Sequence, residues 1–137
     1  LGVPLLLYRF LETRFNAFWP ARSCAFLVDR MIGRVPGIEE RCQAFAARVA
    51  EAMNRADTDE VLLVGHSVGT HLAVTVAARA LELAGAEKRL SLLTLGHAIA
   101  MTPSEPLARR FRDDLLAISL SERLDWIDVT APIDGSC

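Results

Sequence analysis

Glu60-Val61-Leu62-Leu63-Val64-Gly65-His66-Ser67-Val68-Gly69-Thr70 is the stretch whose reading decides the fold. Its first part is a short, continuous apolar run, the pattern of a central parallel strand covered on both faces. A tight Gly65–Gly69 turn follows. From about Val68 to Ala84 the apolar residues Leu72, Val76, Ala80 and Leu83 fall on one helical face, and Gly85 ends that helix.

Downstream, Leu90–Leu95 reads as a second buried strand. A helix near 105–118 starts with Pro106 in its first turn. Leu124–Val129 is a third strand, and Thr130 to Gly135 is the loop after it. Strands that alternate with helices predict a parallel sheet with right-handed crossovers. The expected fold class is therefore α/β, a parallel sheet with helices on both faces.

Upstream, residues 38–56 form a helix whose stripe is Ile38, Cys42, Phe45, Val49 and Met53. Arg34-Val35-Pro36-Gly37 is a turn. Residues 23–33 suit a short helix. Residues 3–19 place Leu7, Phe10, Leu11, Phe15 and Phe18 at helical spacing, and Pro20 ends the pattern. Such a helix either packs on the core or lies on a membrane or lipid-like substrate, and periodicity alone does not separate the two. The chain thus divides into a helical, aromatic-rich segment, 1–36, and an α/β core, 37–137.

The glycines and serine of the turn carry the chemistry. A serine at a sharp strand-to-helix corner has its oxygen lifted above the sheet edge, where open parallel sheets bind ligands. Neighbours two residues away on each side must be small to avoid a clash across the turn, which Gly65 and Gly69 provide. The corner also sets the Val68 backbone N–H beside the serine oxygen at the positive end of a helix, suited to an oxyanion. The G-x-S-x-G spacing, with strand before and helix after, marks Ser67 as a candidate nucleophile.

Val61 to Thr70 resembles the nucleophile elbow of the α/β-hydrolases, especially lipase- and esterase-like members, and the resemblance spans roughly residues 38–135. It implies an incomplete α/β-hydrolase-like fold, a serine nucleophile at Ser67 and an oxyanion donor at Val68. It also implies an acid after a later strand and then a histidine. The activity implied is cleavage of an ester, thioester or amide through an acyl-serine. An acyltransferase using the same acyl-serine is the alternative, and so is a non-catalytic binding module of that fold.

Asp134, in the loop past the third strand, is the first candidate for the acid, with Asp128 the alternative. The histidines are His66, His71 and His97. His66 adjoins Ser67 with its ring turned away, a support for the turn. His71 lies one turn into the helix, hydrogen-bonded or partly exposed. His97 follows Gly96 at the carboxyl end of the second strand and lines the site. No histidine follows Asp134. The chain begins at Leu1 and stops after Asp134-Gly135-Ser136, so the catalytic histidine is expected beyond Cys137 and further strands upstream of Leu1.

Composition excludes other classes. The 137 residues, 52% of them hydrophobic, support one packed domain. A net charge of −2 gives no electrostatic basis for nucleic acid as a partner. Phosphate-cradling glycine loops are absent. Cys24, Cys42 and Cys137 are not spaced as a metal site. They read as buried small hydrophobes and a tail thiol, which fits a reducing, cytoplasmic setting. No cofactor is implied, and the partner is a small acyl substrate, with lipid contact through residues 3–19 as a further expectation. No uncharged apolar run reaches the length of a membrane span.

Overall fold

In the computed structural model, which describes residues 2–16, 18–102 and 106–131, helices α1 (Gly2–Phe15), α2 (Trp19–Met31) and α3 (Ile38–Asn54) precede the sheet. Strand β1 (Leu62–His66), helix α4 (Gly69–Leu83) and strand β2 (Leu90–Leu95) follow. Two short 3₁₀ turns (Ile99–Met101 and Pro106–Ala108), helix α5 (Arg109–Ser119) and strand β3 (Leu124–Val129) complete the order. Pro20, expected to end a helix, instead opens α2. A proline suits a first helical turn because its missing N–H has no partner there to lose.

The three strands pair in parallel in the order β1-β2-β3. Strand order never reverses, so two right-handed crossovers carry both connecting helices to the same face. Accordingly α4 packs on β1, on β2 and on α5. This corrects the expectation of helices on both faces, at least among the described residues. The register places Leu63, Leu92 and Trp126 on the helix-covered face, with Leu92 fully buried. Leu62, Val64, Leu93, Leu95, Ile127 and Val129 share the other face. Leu62, Val64, Ile127 and Val129 are exposed there. β1, expected to be central, is an edge strand among those described, and β2 lies between its neighbours.

The core gathers on α4, which is buried on nearly every side between α3, α5 and the sheet. Of the α3 stripe, Cys42 and Met53 are buried while Phe45 is exposed. Ala46 and Ala50 are buried in its place. Small side chains on both helices, Ala46 against the alanine-rich α4, let the axes approach closely, and that turns the alanine face of α3 inward. Cys24, expected to be buried, is exposed.

Of the two expectations for residues 3–19, packing on the core does not describe the apolar residues of α1. Val3, Leu5, Leu6, Leu7, Tyr8 and Phe10 are all exposed on α1. These residues are nearly consecutive, so they wind around the helix instead of forming one stripe that a core could accept. Tyr8 stacks on Phe18 with ring centroids 4.9 Å apart. Among the described residues no helix is long and apolar enough to cross a membrane.

Candidate active site

β1 delivers the chain to Ser67, whose φ is +51°. That left-handed backbone is rare for a residue with a side chain and is maintained only where surrounding bonds over-determine it. Here they do. The Ser67 N–H donates to the Leu95 carbonyl of β2 at 3.0 Å. The Ser67 carbonyl accepts from the Thr70 N–H at 3.0 Å and from the Thr70 hydroxyl at 2.6 Å. The same Thr70 oxygen accepts from the Ala98 N–H at 3.2 Å. Buried Thr70 thus clasps the corner to the loop after β2. The Val68 carbonyl is taken up by the His71 N–H, while no acceptor for the Val68 N–H occurs among the described residues. Val68 stands at the N-terminus of α4, where unpaired N–H groups collect partial positive charge.

The two flanking glycines are not equivalent. A Cβ at Gly65 would lie 2.8 Å from the Ala73 Cβ and 2.9 Å from the Thr70 Cα, so α4 crosses the strand too closely for any side chain. A Cβ at Gly69 would meet nothing within 4 Å, so the expected steric need for glycine there is absent. We therefore expect Gly65→Ala to destabilise by about 1–3 kcal/mol through overpacking. Gly69→Ala, at the start of a helix, should be neutral or stabilising by up to about 0.5 kcal/mol. Urea denaturation of the two variants checks this, and equal losses would contradict the asymmetry.

His66 is exposed on the uncovered sheet face, and among the described residues no hydrogen bond ties its ring to the turn it was expected to support. The period of two in a strand sends it to the side opposite Gly65. His97 follows Gly96, whose φ of +50° bends the chain at the end of β2. The His97 Nε2 lies 3.4 Å from an Asp128 carboxylate oxygen, and its Nδ1 accepts from the Ile99 N–H at 3.2 Å. The other Asp128 oxygen accepts from the Thr94 hydroxyl at 2.5 Å, and Thr94 in turn accepts from the Trp126 indole at 2.9 Å. The sheet edge therefore joins His97 to Asp128, the alternative acid. Among the described residues no hydrogen bond links either of them to the Ser67 hydroxyl. Asp134 lies outside the described residues.

Sequence reading missed a second polar cluster behind the elbow. His71 is 1% exposed, and its ring stacks on Phe111 with centroids 3.6 Å apart. Its Nε2 bonds the Thr102 hydroxyl. Arg30 of α2 reaches in so that one guanidinium nitrogen donates to the His71 Nδ1 and carbonyl, both at 3.3 Å. The other donates to the Thr75 hydroxyl at 2.8 Å, which donates to Asp114 of α5 at 2.8 Å. The Arg30 side chain is only 8% exposed, and its Nε has no partner among the described residues. Glu39 joins the cluster through Arg79 at 2.5 Å and Arg30 at 3.8 Å.

Burial, then the charge of Arg30, pushes the His71 imidazole down to about 3, so the ring stays neutral and takes no proton near neutral pH. Burial raises the Asp114 carboxyl above its ordinary value. At Glu39 burial works upward as well, but the hydrogen bond and charge of Arg79, with Arg30 and Arg110 behind it, hold the carboxyl below its ordinary value. The cluster ties α2, α3, α4 and α5 together, and Arg30, Glu39, Arg79 and Asp114 line a cavity of about 310 Å³. Among the described residues no group of His, Cys, Asp or Glu is arranged to hold a metal ion.

Comparison with protein-family models, with characterised proteins and with solved structures finds no match to this chain.

Proposed function

We propose that Ser67 is an acyl-accepting nucleophile and that the chain acts as a serine hydrolase on an ester, thioester or amide, in the manner of an α/β-hydrolase. The observation that carries this reading is the left-handed Ser67 backbone at a strand-to-helix corner, with Gly65 crowded by α4 behind it. Such strain is kept where it serves a purpose. In this reading the Ser67 oxygen attacks the substrate carbonyl and the Val68 N–H receives the developing oxyanion. The leaving group departs with the serine proton. Water then attacks the acyl-serine and releases the acid; an alcohol or thiol acceptor in place of water makes the same site an acyltransferase. Asp134 or Asp128 is the acid in this scheme.

The engagement of both His97 nitrogens, with Ile99 and Asp128, favours a second reading in which the elbow is kept without turnover. One experiment separates the two. Incubation of the full-length protein with a fluorophosphonate, mapped by mass spectrometry, is expected to modify Ser67, because only a serine activated by a base reacts. Ser67→Ala should remain unlabelled and folded. A folded, unlabelled full-length protein would give the site to the second reading.

A further inference from the structure

Helix α1 stands apart from the packed part of the chain. Among the described residues no helix or strand packs along its length. It is tied to the start of α2 by the Tyr8–Phe18 stack, by the Glu12–Arg22 ion pair and by the Phe18 N–H, which donates to Glu12 at 3.1 Å. Those bonds leave Val3, Leu5, Leu6, Leu7 and Phe10 in solvent, with Val3 77% exposed. At 3.6 residues per turn, these side chains and Tyr8 cover more than half of the helix circumference. Arg9, Glu12 and Thr13 gather in the remaining sector beside Leu5. Trp19, at the start of α2, is exposed as well. Charge divides along the chain at the same place. Residues 1–28 carry three arginines, Arg9, Arg14 and Arg22, against one acid, Glu12, a net +2. The whole chain carries −2, so residues 29–137 carry −4.

We infer that α1 docks on an anionic lipid surface, lying at the headgroup level with its apolar side toward the acyl chains. A protein groove takes a helix by one stripe of anchors spaced three and four residues apart. Apolar side chains over more than half of the circumference would stay partly wet in such a groove. Acyl chains close around the helix with no shape to match, so they cover all of them. Tyr8 and Trp19 each carry a polar tip on an apolar body, which suits the boundary between headgroups and acyl chains. Arg9 and Arg14 bring positive charge to the negative headgroups, while the acidic remainder of the chain is repelled toward water. The division of charge therefore sets the orientation of the chain as well as its attachment. No residue of the elbow enters this inference, so it stands apart from the acyl-serine reading of Ser67.

The test is flotation of the full-length protein with vesicles of phosphatidylcholine alone and with vesicles of phosphatidylcholine mixed with phosphatidylserine. Wild type is expected to float with the mixed vesicles and to bind the neutral ones at least about fivefold more weakly, the factor that one arginine contributes near an anionic surface. Leu6→Asp combined with Leu7→Asp, at two exposed positions, should lower binding to mixed vesicles by at least about tenfold. Arg9→Gln should lower it about fivefold on mixed vesicles and leave the neutral ones unchanged. Ser67→Ala should float as wild type does. A wild type that binds neither vesicle, or flotation that survives the double substitution, would overturn the inference. So would a wild type that is oligomeric by light scattering without lipid and monomeric in the double variant, because α1 would then be a protein interface. Loss of flotation in Ser67→Ala would overturn it too, since the vesicle would then be held as a substrate at the elbow.

Discussion

Arg30→Ala is expected to lower the unfolding free energy by about 3–5 kcal/mol, the range for breaking a buried charge cluster by removing one partner. The guanidinium is almost wholly buried and joins three helices, through His71 and Thr75 on α4 and Glu39 on α3 from its own place on α2. Its removal strips His71 Nδ1 of a donor and leaves Asp114 without one of its two nearby cations. It also opens a cavity under a buried arm. Arg30→Met, which keeps much of the arm's volume, should recover about half the loss, because part of the penalty is packing. Urea unfolding of both variants decides the matter. A loss below about 1 kcal/mol for Arg30→Ala would show that the desolvation of the charge cancels what its bonds contribute.

Acid should weaken the fold through His71 well before it reaches the carboxylates. The folded imidazole titrates at about 3 against an ordinary 6.5, so below 6.5 the unfolded chain binds a proton that the folded chain refuses. The unfolded state then binds more protons, and stability falls as pH falls. The contribution of neutral His71 is complete above 6.5 and is lost progressively down to about 3. The slope approaches about 1.4 kcal/mol per pH unit, so about 2 kcal/mol is gone by pH 5 and on the order of 4–5 at the lower end. Asp114, held above its ordinary value, acts with the opposite sign at the acid end, and Glu39, held below, acts with the same sign as His71. A His71→Gln variant retains both carboxylates. Its urea midpoints, followed from roughly pH 7.5 to 5, should lack the steep part of the wild-type slope. Parallel slopes in the two proteins would mean that the ring is already charged when folded.

The strands and the corner were legible in the sequence because their signals are local. Leu62 to Val64 and Leu90 to Leu95 are apolar runs bounded by turn residues, and the glycines around Ser67 fall between a strand and a helix. What the sequence hid is what the chain brings together from afar. Arg30 meets His71 across 41 residues and Thr75 across 45, and no spacing rule links them. Among fourteen arginines it is singled out only by where α2 lands. The His97–Asp128 pair is a product of the β2–β3 register, which sets Thr94 beside Asp128. Gly69 shows the converse error: a motif position that fits a steric rule while the space around it is open. The exposed apolar residues of α1 were visible as a pattern, but whether a core would cover them depends on the partner and not on the period.

The unreversed strand order also shapes how the chain can assemble. Among the described residues each strand pairs with its neighbours in sequence, and α4 packs on β1 and β2, the elements directly before and after it. Each strand pairing therefore closes a single crossover, which keeps the entropic cost of building the sheet small. The first β1–α4–β2 unit presents a finished template edge to β3, so the domain can condense progressively from its amino-terminal side as the polypeptide lengthens.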